Sequence, residues 1–257
     1  MENITPNKKS TQAKLSIIIV AKNEALNIIE CIHSASFADE VLVLDSGSTD
    51  LTVELAKSVG AKVIETDWQG YGLQQNKGIE ASSGDWIYSL DADERITPAL
   101  AYEIRAVIDA ENKFVFDVPR KSLFVSKFMC HSGWWPDRTR RLFKRGCAKF
   151  TLDEIHANLK TTYPIGHLRE HMVHYSYRNL HEVIEKMNRY SSGSARDLSS
   201  KGKRSSLKKA VAHGIWAFIR TYFIKLGFLD GSEGFILAIL NAENSYYKHL
   251  KLFYLFK

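Results

Sequence analysis

Cysteine is scarce. The chain holds three in 257 residues, Cys31, Cys130 and Cys147, far apart and without a C-x-x-C pair. This indicates neither a disulfide framework nor a cysteine-based zinc cluster, and it fits a reducing cytosol. Long apolar runs are missing too: no stretch reaches the ~18 uninterrupted apolar residues of a spanning helix. Residues 1–14 are polar, without the apolar core of a signal peptide, and read as a frayed tail. Gly-rich phosphate loops are also lacking. Ala21-Lys22-Asn23-Glu24, in the first βα turn, contains no G-x-G-x-x-G, and no G-x-x-x-x-G-K-[ST] occurs, which disfavours NAD enzymes and P-loop nucleotidases. Acidic residues are outnumbered, 29 against 35 Lys and Arg, giving a net charge of +6 and a pI of about 9.1. That balance suits an acidic partner (nucleotide sugar, anionic lipid or nucleic acid), and ordinary solubility charge accounts for it equally well.

What is present is the composition of a folded protein, 45% hydrophobic and 25% charged. It is long enough for one large domain, or one domain with an appendage. Residues 15–20 form a continuous apolar, β-branched run, as in a strand buried on both faces. Helical character follows over 25–34, a second strand over 40–44 ending at Asp45, and a helix over 50–59 stopped by Gly60. A third strand is expected over 61–65, a helix over 74–81 and a fourth strand over 85–90. This alternation argues for an α/β fold with a parallel sheet. Ligands bind such sheets at the carboxyl ends of the strands, where Lys22, Asn23, Glu24, Asp45, Ser46, Asp91 and Asp93 fall. Beyond Pro98 the pattern predicts a helix to residue 112, a hairpin of strands 114–119 and 121–125, and a Trp-, Arg- and Gly-rich stretch over 129–150. A helix over 179–198 and a polar basic link over 199–209 lead into an aromatic, amphipathic segment over 210–256.

Ser89-Leu90-Asp91-Ala92-Asp93 is a D-x-D motif set directly after the apolar run Trp86-Ile87-Tyr88. On an extended strand alternate side chains point the same way. Both carboxylates can then face one hard cation, holding Mg²⁺ or Mn²⁺ against a diphosphate. A bare D-x-D also occurs in surface turns. The second strand ends in Asp45-Ser46-Gly47-Ser48-Thr49-Asp50. There Asp45 can accept from a base N–H or a ribose hydroxyl, while Gly47 permits a tight turn. Ser48, Thr49 or Asp50 can cap the next helix, and a pure turn-and-cap device is the plainer reading. Lys77, within Gln75-Asn76-Lys77-Gly78, can approach a phosphate or sit solvated on a helix.

Together these segments resemble the inverting glycosyltransferases of family 2, which have the GT-A fold. The resemblance is carried by residues 16–24, by Asp45 to Asp50, by Asn76-Lys77-Gly78 and by Asp91-Ala92-Asp93, in matching order and spacing over residues 15–95. Trp135-Pro136-Asp137, Arg141-Leu142-Phe143, Ile155-His156, His174-Tyr175-Ser176-Tyr177 and Leu229-Asp230-Gly231 with Gly234 look like the bacterial lipopolysaccharide-core subgroup. Its members are mostly glucosyltransferases acting on inner-core heptose. The resemblance implies a Rossmann-like, mostly parallel sheet with helices on both faces. It implies that Ala21, Asn23 and Glu24 line the nucleotide pocket, that Asp45 contacts uracil or ribose, and that Lys77 lies near the diphosphate. Asp91 would contact the ribose or the metal, and Asp93 would be the principal ligand of Mg²⁺ or Mn²⁺. His174 is the candidate third ligand, and Glu94 is read as structural.

One displacement at the anomeric carbon of a UDP-α-sugar gives a β-glycoside and needs one general base for the acceptor hydroxyl. Family 2 supplies an Asp or Glu well downstream of the D-x-D. The subgroup often reads Val-His-Glu, but here Ala157 follows Ile155-His156. Glu154 and Asp153 therefore lead equally, with Asp137 third; surface carboxylates are the plainer reading of all three. Trp135, Arg138 and Arg141, clustered with Trp134 and Arg140, would form the acceptor wall, because aromatic faces stack on sugars and arginines pair with phosphate. Core tryptophans with solvated arginines are the bland alternative.

In the C-terminal segment the spacing of Ile215, Trp216, Phe218, Ile219, Tyr222, Phe223, Leu226 and Phe228 leaves Arg220 and Lys225 to a polar face. With the basic link, this resembles an interfacial helix on anionic lipid; packing on the catalytic domain or a second subunit competes. The expectation is a tail (1–14), a GT-A catalytic domain (15–198), and a basic link with a helical segment (199–257). The enzyme would work at the cytoplasmic face of the inner membrane, moving glucose from a UDP-sugar to a lipopolysaccharide-core heptose, with no nucleic-acid partner. The rivals are a nucleotidyltransferase, a transferase for another surface glycan or lipid acceptor, and a non-catalytic membrane-binding protein on a decayed transferase scaffold. The first lacks its Gly-rich loop here; the last is opposed by the intact Asp91 and Asp93.

Overall fold

The computed structural model describes residues 13–110, 112–152 and 157–256. The chain divides into two compact units, Met1–Val118 with Thr139–Met172, and Pro119–Arg138 with Val173–Lys257. In chain order the elements begin β1 (Leu15–Ala21), α1 (Ile28–Ser34), β2 (Glu40–Asp45), α2 (Thr52–Ser58), β3 (Lys62–Glu65), α3 (Tyr71–Ala81), β4 (Trp86–Asp91), β5 (Glu94–Ile96) and α4 (Pro98–Ala110). There follow β6 (Val115–Phe124), β7 (Lys127–Phe128), β8 (Asp137–Lys144), β9 (Lys149–Phe150), β10 (Leu159–Lys160), β11 (Ile165–His167) and β12 (Met172–Tyr177). The chain closes with α5 (Leu180–Ser200), α6 (Leu207–Ile219), a π turn (Arg220–Ile224), a 3₁₀ turn (Gly227–Asp230) and α7 (Ser232–Tyr254).

In the first unit parallel ladders join β1 to β2, β1 to β4 and β2 to β3, giving the order β3-β2-β1-β4. β8 pairs antiparallel with β4, Tyr88 opposite Leu142. The period-2 alternation of side chains decides which face each covers. Ile17 and Ile19 of β1, Val43 of β2 and Tyr88 and Leu90 of β4 join Ile28 and Ile32 of α1 and Leu100, Ile104 and Ile108 of α4 in one core. Ile18, Leu42, Leu44 and Ile87, pointing the other way, form a second core with Phe143 and Phe150. α3 covers that second face. A Cβ on its Gly78 would lie 2.7 Å from Leu44 Cδ1, so glycine is what lets the helix approach. Both faces of β1 and β4 are therefore buried, as their continuous apolar runs require. Each large side chain so enclosed contributes ~1.5–3 kcal/mol.

Two of the strands differ from the sequence reading. The expected hairpin over 114–125 is one ten-residue strand, β6. Pro119-Arg120 offers no residue suited to φ > 0 that could reverse the chain, and proline's fixed φ is compatible with an extended backbone. The reversal comes at Val125, which has φ 55°, and Leu123 then pairs with Phe128 of β7. The second difference is that β4 ends at Asp91 and a turn separates it from β5, so Asp93 is not on an extended strand.

The second unit is mainly helical. α5 begins at an Asn N-cap, in which Asn179 Oδ1 accepts the Glu182 N–H (2.9 Å) and Asn179 Nδ2 donates to Glu182 Oε1 (2.8 Å). α7 packs against α5 and α6. Phe124, Met129, Val183, Leu237 and Leu240 form this unit's core. The buried Asp230 carboxylate accepts from the backbone N–H groups of Cys130 (3.1 Å) and His131 (3.0 Å) and from Ser132 Oγ (2.9 Å), fixing the loop before Trp134.

Candidate active site

Parallel strands bring their carboxyl ends to one edge of the sheet. There Ala21 pairs with Asp45, and Val20 with Asp91. The chain winds from β1 through β2 to β3 on one side and places β4 on the other. Asp91 thus ends the strand across the topological switch point, where α/β sheets take ligands.

The loops after β1 and β2 are laced together. Asn23, at φ 54°, occupies a left-handed conformation that Asn tolerates better than most residues. Its N–H donates to Ser48 Oγ (2.9 Å) and its Oδ1 accepts the Thr49 N–H (2.8 Å). Glu24 N–H donates to Thr52 Oγ1 (2.8 Å), and Ala25 N–H to Asp50 Oδ2 (3.2 Å). Asp45 is 2% exposed. Its carboxylate accepts the N–H groups of Gly47 (3.0 Å) and Ser48 (2.9 Å) and the Ser48 hydroxyl. These bonds show the turn-holding role of the carboxylate; a carboxylate has about four acceptor sites, and three are used here. The neighbouring Ser46 hydroxyl is buried without a hydrogen-bond partner, a cost of about 1–3 kcal/mol unless a bound molecule or water supplies one.

The D-x-D turn is held by two arginines. Arg95 donates from Nη1 to the carbonyls of Ala92 (2.9 Å) and Glu94 (2.8 Å), and from Nη2 to that of Asn27 (2.9 Å). Arg141 Nη2 lies 2.5 Å from Asp91 Oδ2 and 2.6 Å from Glu94 Oε1. Glu94 Oε2 also accepts the Asp91 N–H at 3.1 Å. Side-chain exposure grades from 0% for Glu94 through 8% for Arg141 to 39% for Asp91. Burial opposes the guanidinium's charge, but Asp91 and Glu94 outweigh it and hold its pKa above the ordinary value. Arg141 is therefore a brace beneath Asp91 and does not belong to an open acceptor wall. Asp93 is half-buried in the turn. Lys77 is half-buried on α3, between Asn76, which exchanges hydrogen bonds with the Phe150 backbone, and Gly78.

In the second unit Asp137 is gripped by Arg120, through Nε (2.9 Å) and Nη2 (2.6 Å). His174 Nδ1 lies 2.9 Å from Ser122 Oγ. Trp135 is half-buried and Arg138 exposed, whereas Trp134 packs edge-on against Phe124. Asp153 and Glu154 lie outside the described residues. Among the described residues no group of three or more His, Cys, Asp or Glu side chains is arranged to hold a metal ion. A divalent cation bound together with a diphosphate needs only one or two carboxylates, the remaining positions going to phosphate oxygens and water. The hard oxygen donors of Asp91 and Asp93 fit that demand. A cavity of about 510 Å³ lined by Asn76, Glu80, Lys149, Lys160 and Tyr163, among others, contains none of the strand-end carboxylates.

The sequence reading missed the roles of Ser46, Arg95 and Arg141. The sequence signal for Arg141 is slight: it directly precedes the apolar pair Leu142-Phe143 in an otherwise polar strand, and a charge buried beside such a pair must find a partner.

Residues 16–159 match the profile of Glycosyl transferase family 2. An uncharacterized glycosyltransferase of Rickettsia bellii is 32% identical over 255 residues, covering 93% of this chain and 86% of the relative. The lipopolysaccharide core biosynthesis glycosyltransferase LpsC of Rhizobium meliloti is 28% identical over 255 residues, covering 91% of this chain and 93% of LpsC. Among solved structures, S. aureus TarS 1-349 is similar at a TM-score of 0.48 and 15% identity, covering 93% of this chain and 89% of that one; so remote a likeness carries no substrate across. The profile match runs through β1, β2 and β4 and includes Asp91, Asp93 and Arg141. The chain belongs to glycosyl transferase family 2 and carries the family's GT-A fold.

Proposed function

We propose that this glycosyltransferase moves a hexose, glucose first among the candidates, from a UDP-sugar to a heptose of the lipopolysaccharide inner core, forming a β-linkage by inversion. The observation that carries the donor half is the D-x-D turn pinned at the sheet's switch point by Arg141, Glu94 and Arg95. The likeness to LpsC over nearly the whole of both chains favours a core acceptor. Asp91 and Asp93 would hold Mg²⁺ or Mn²⁺, which neutralises charge on the departing diphosphate, so that no protein acid is required there.

In this reading Ala21, Asn23 and Glu24 shape the nucleoside side of the site, and Lys77 serves the diphosphate. Asp45 keeps the β2 turn in place for them. The acceptor hydroxyl loses its proton to Glu154 or Asp153, since Asp137 already has a carboxylate oxygen engaged by Arg120. Trp135 and Arg138 meet the acceptor. Residues 15–198 would carry the transfer and 199–257 the attachment to the cytoplasmic face of the inner membrane, where the acceptor is assembled.

The test is a panel of UDP-sugars against truncated core acceptors, with the anomeric linkage of the product read by NMR. The reading expects β-glucosyl transfer to heptose in the presence of Mn²⁺ or Mg²⁺. Retention of configuration, or transfer only to a protein or lipid-phosphate acceptor, would overturn it.

A further inference from the structure

We propose that one apolar face of the C-terminal helical hairpin, running from α6 through the π and 3₁₀ turns to the start of α7, is a monotopic anchor that lies in the interfacial layer of an anionic bilayer. The proposal rests on the membrane-face reading above and names the surface responsible.

The hairpin is built inside out. α6 and the π turn bury the small residues Ala210, Gly214 and Thr221. A Cβ on Gly214 would come within 3.2 Å of Tyr246 Cβ and 3.3 Å of the Ala242 carbonyl, so α7 packs tightly against the small-residue side. The bulky side chains are left outside: Val211, Ile215, Ile219 and Phe223, one every four residues, are between 37% and 58% exposed. A helix that stabilises a water-soluble domain does the reverse and turns its bulky stripe inward.

The exposed face is continuous. The Tyr222 ring contacts those of Phe223 (5.2 Å), Phe228 (6.3 Å) and Phe235 (5.5 Å), each about half exposed. This joins the two turns to the first turn of α7. Contiguous apolar surfaces of this kind mark an interaction site. No helix among the described residues is long and apolar enough to cross a membrane, which leaves an in-plane position for a lipid-bound hairpin.

Charge selects the occupant. Residues 201–235 contain seven Lys and Arg against two acids, Asp230, which is buried, and Glu233, which accepts from Ser126 Oγ. Lys203, Lys208, Lys209 and Arg220 are exposed. Two copies of this surface would bring like charges together, whereas anionic headgroups attract them. Lys225 departs from the expected polar face, since its side chain lies against Gly133.

Flotation of the full-length chain with vesicles tests the proposal. Phosphatidylglycerol–phosphatidylethanolamine vesicles should carry the protein and phosphatidylcholine vesicles should not. The double variant Ile215→Asp, Phe223→Asp should reduce binding roughly tenfold or more. Lys208→Gln with Lys209→Gln, which leaves the apolar face intact, should weaken binding and flatten its salt dependence. Circular dichroism and thermal unfolding report whether each variant is folded. Transfer to a water-soluble truncated acceptor should stay at the wild-type rate, so failure of the transferase reading appears in that assay and failure of the anchor appears in flotation. Equal binding to both vesicle types, no binding, or binding unaffected by the apolar-to-Asp variant would overturn the proposal. So would a dimer in sedimentation that Ile215→Asp dissociates, which would assign the face to a second copy.

Discussion

Arg141→Met removes the guanidinium from between Asp91 and Glu94 while keeping an unbranched apolar stem. The consequence follows from burial. Glu94 is fully enclosed and Arg141 nearly so, and removing one partner of such a pair leaves the other charge uncompensated, a loss of about 3–5 kcal/mol. Asp91, more exposed, retains water and adds little. For a chain of this size the loss lowers the melting temperature by roughly 6–20 °C. Adding Glu94→Gln removes the stranded charge, so the double variant should recover roughly 1–3 kcal/mol relative to Arg141→Met alone. Arg141→Lys keeps the charge but not the planar fork, and should fall between wild type and Met. Urea unfolding of the four proteins and a thermal scan give the stabilities. Steady-state kinetics at saturating acceptor should show a lower kcat in Arg141→Met at temperatures where it remains folded, because Asp91 has lost its anchor. If Arg141→Met costs less than ~1 kcal/mol and raises only the KM for acceptor, the brace is refuted and Arg141 returns to the acceptor wall.

Two further outcomes are expected. Asp230→Asn keeps the shape but weakens the charge-assisted bonds to Cys130, His131 and Ser132; a loss of roughly 1.5–3 kcal/mol is expected from urea unfolding. His249, stacked at 3.9 Å on His213, has its pKa lowered from 6.5 to about 4 by burial first and then by His213, Lys248 and Lys209. The unfolded chain therefore binds the proton more readily, so stability is fully present above about pH 6.5 and declines as the pH falls towards about 4. His249→Gln should flatten that slope in unfolding measurements across the window.

Most of the first unit was legible in the sequence because its signals are redundant. The run Leu15 to Val20 and the strands ending at Asp45 and Asp91 follow from apolar patterning and burial on both faces, and helices alternate with them as expected. What failed was local. The hairpin expected over 114–125 is one strand, because the extended backbone accommodates the φ of Pro119. Asp91 does end β4, but Asp93 is not an alternate side chain on the same strand: it sits in a turn held by Arg95. Asp45 illustrates the limit of motif reading: a carboxylate before Ser-Gly-Ser satisfies its own turn, and the spacing alone does not distinguish that from a nucleotide contact. The bracing role of Arg141 was not legible because its partners lie 47 and 50 residues away, a separation that no local pattern encodes. In the second unit, nothing in the local sequence singles out Gly214. Only the packing of α6 on α7 shows that the small residues take the inside and the bulky ones are left to face outward.

The central claim is that Asp91 and Asp93 hold the cation that carries the UDP-sugar diphosphate. Its most direct test is the rate of UDP release from UDP-glucose, with a heptose-terminated core acceptor and titrated Mn²⁺, in wild type and Asp93→Ala at equal folded concentration. Loss of an electrostatic contact to the leaving group predicts a fall of about 10²–10³-fold in kcat, not restored by excess Mn²⁺. A variant that turns over at the wild-type rate, with the same Mn²⁺ dependence, would contradict the claim.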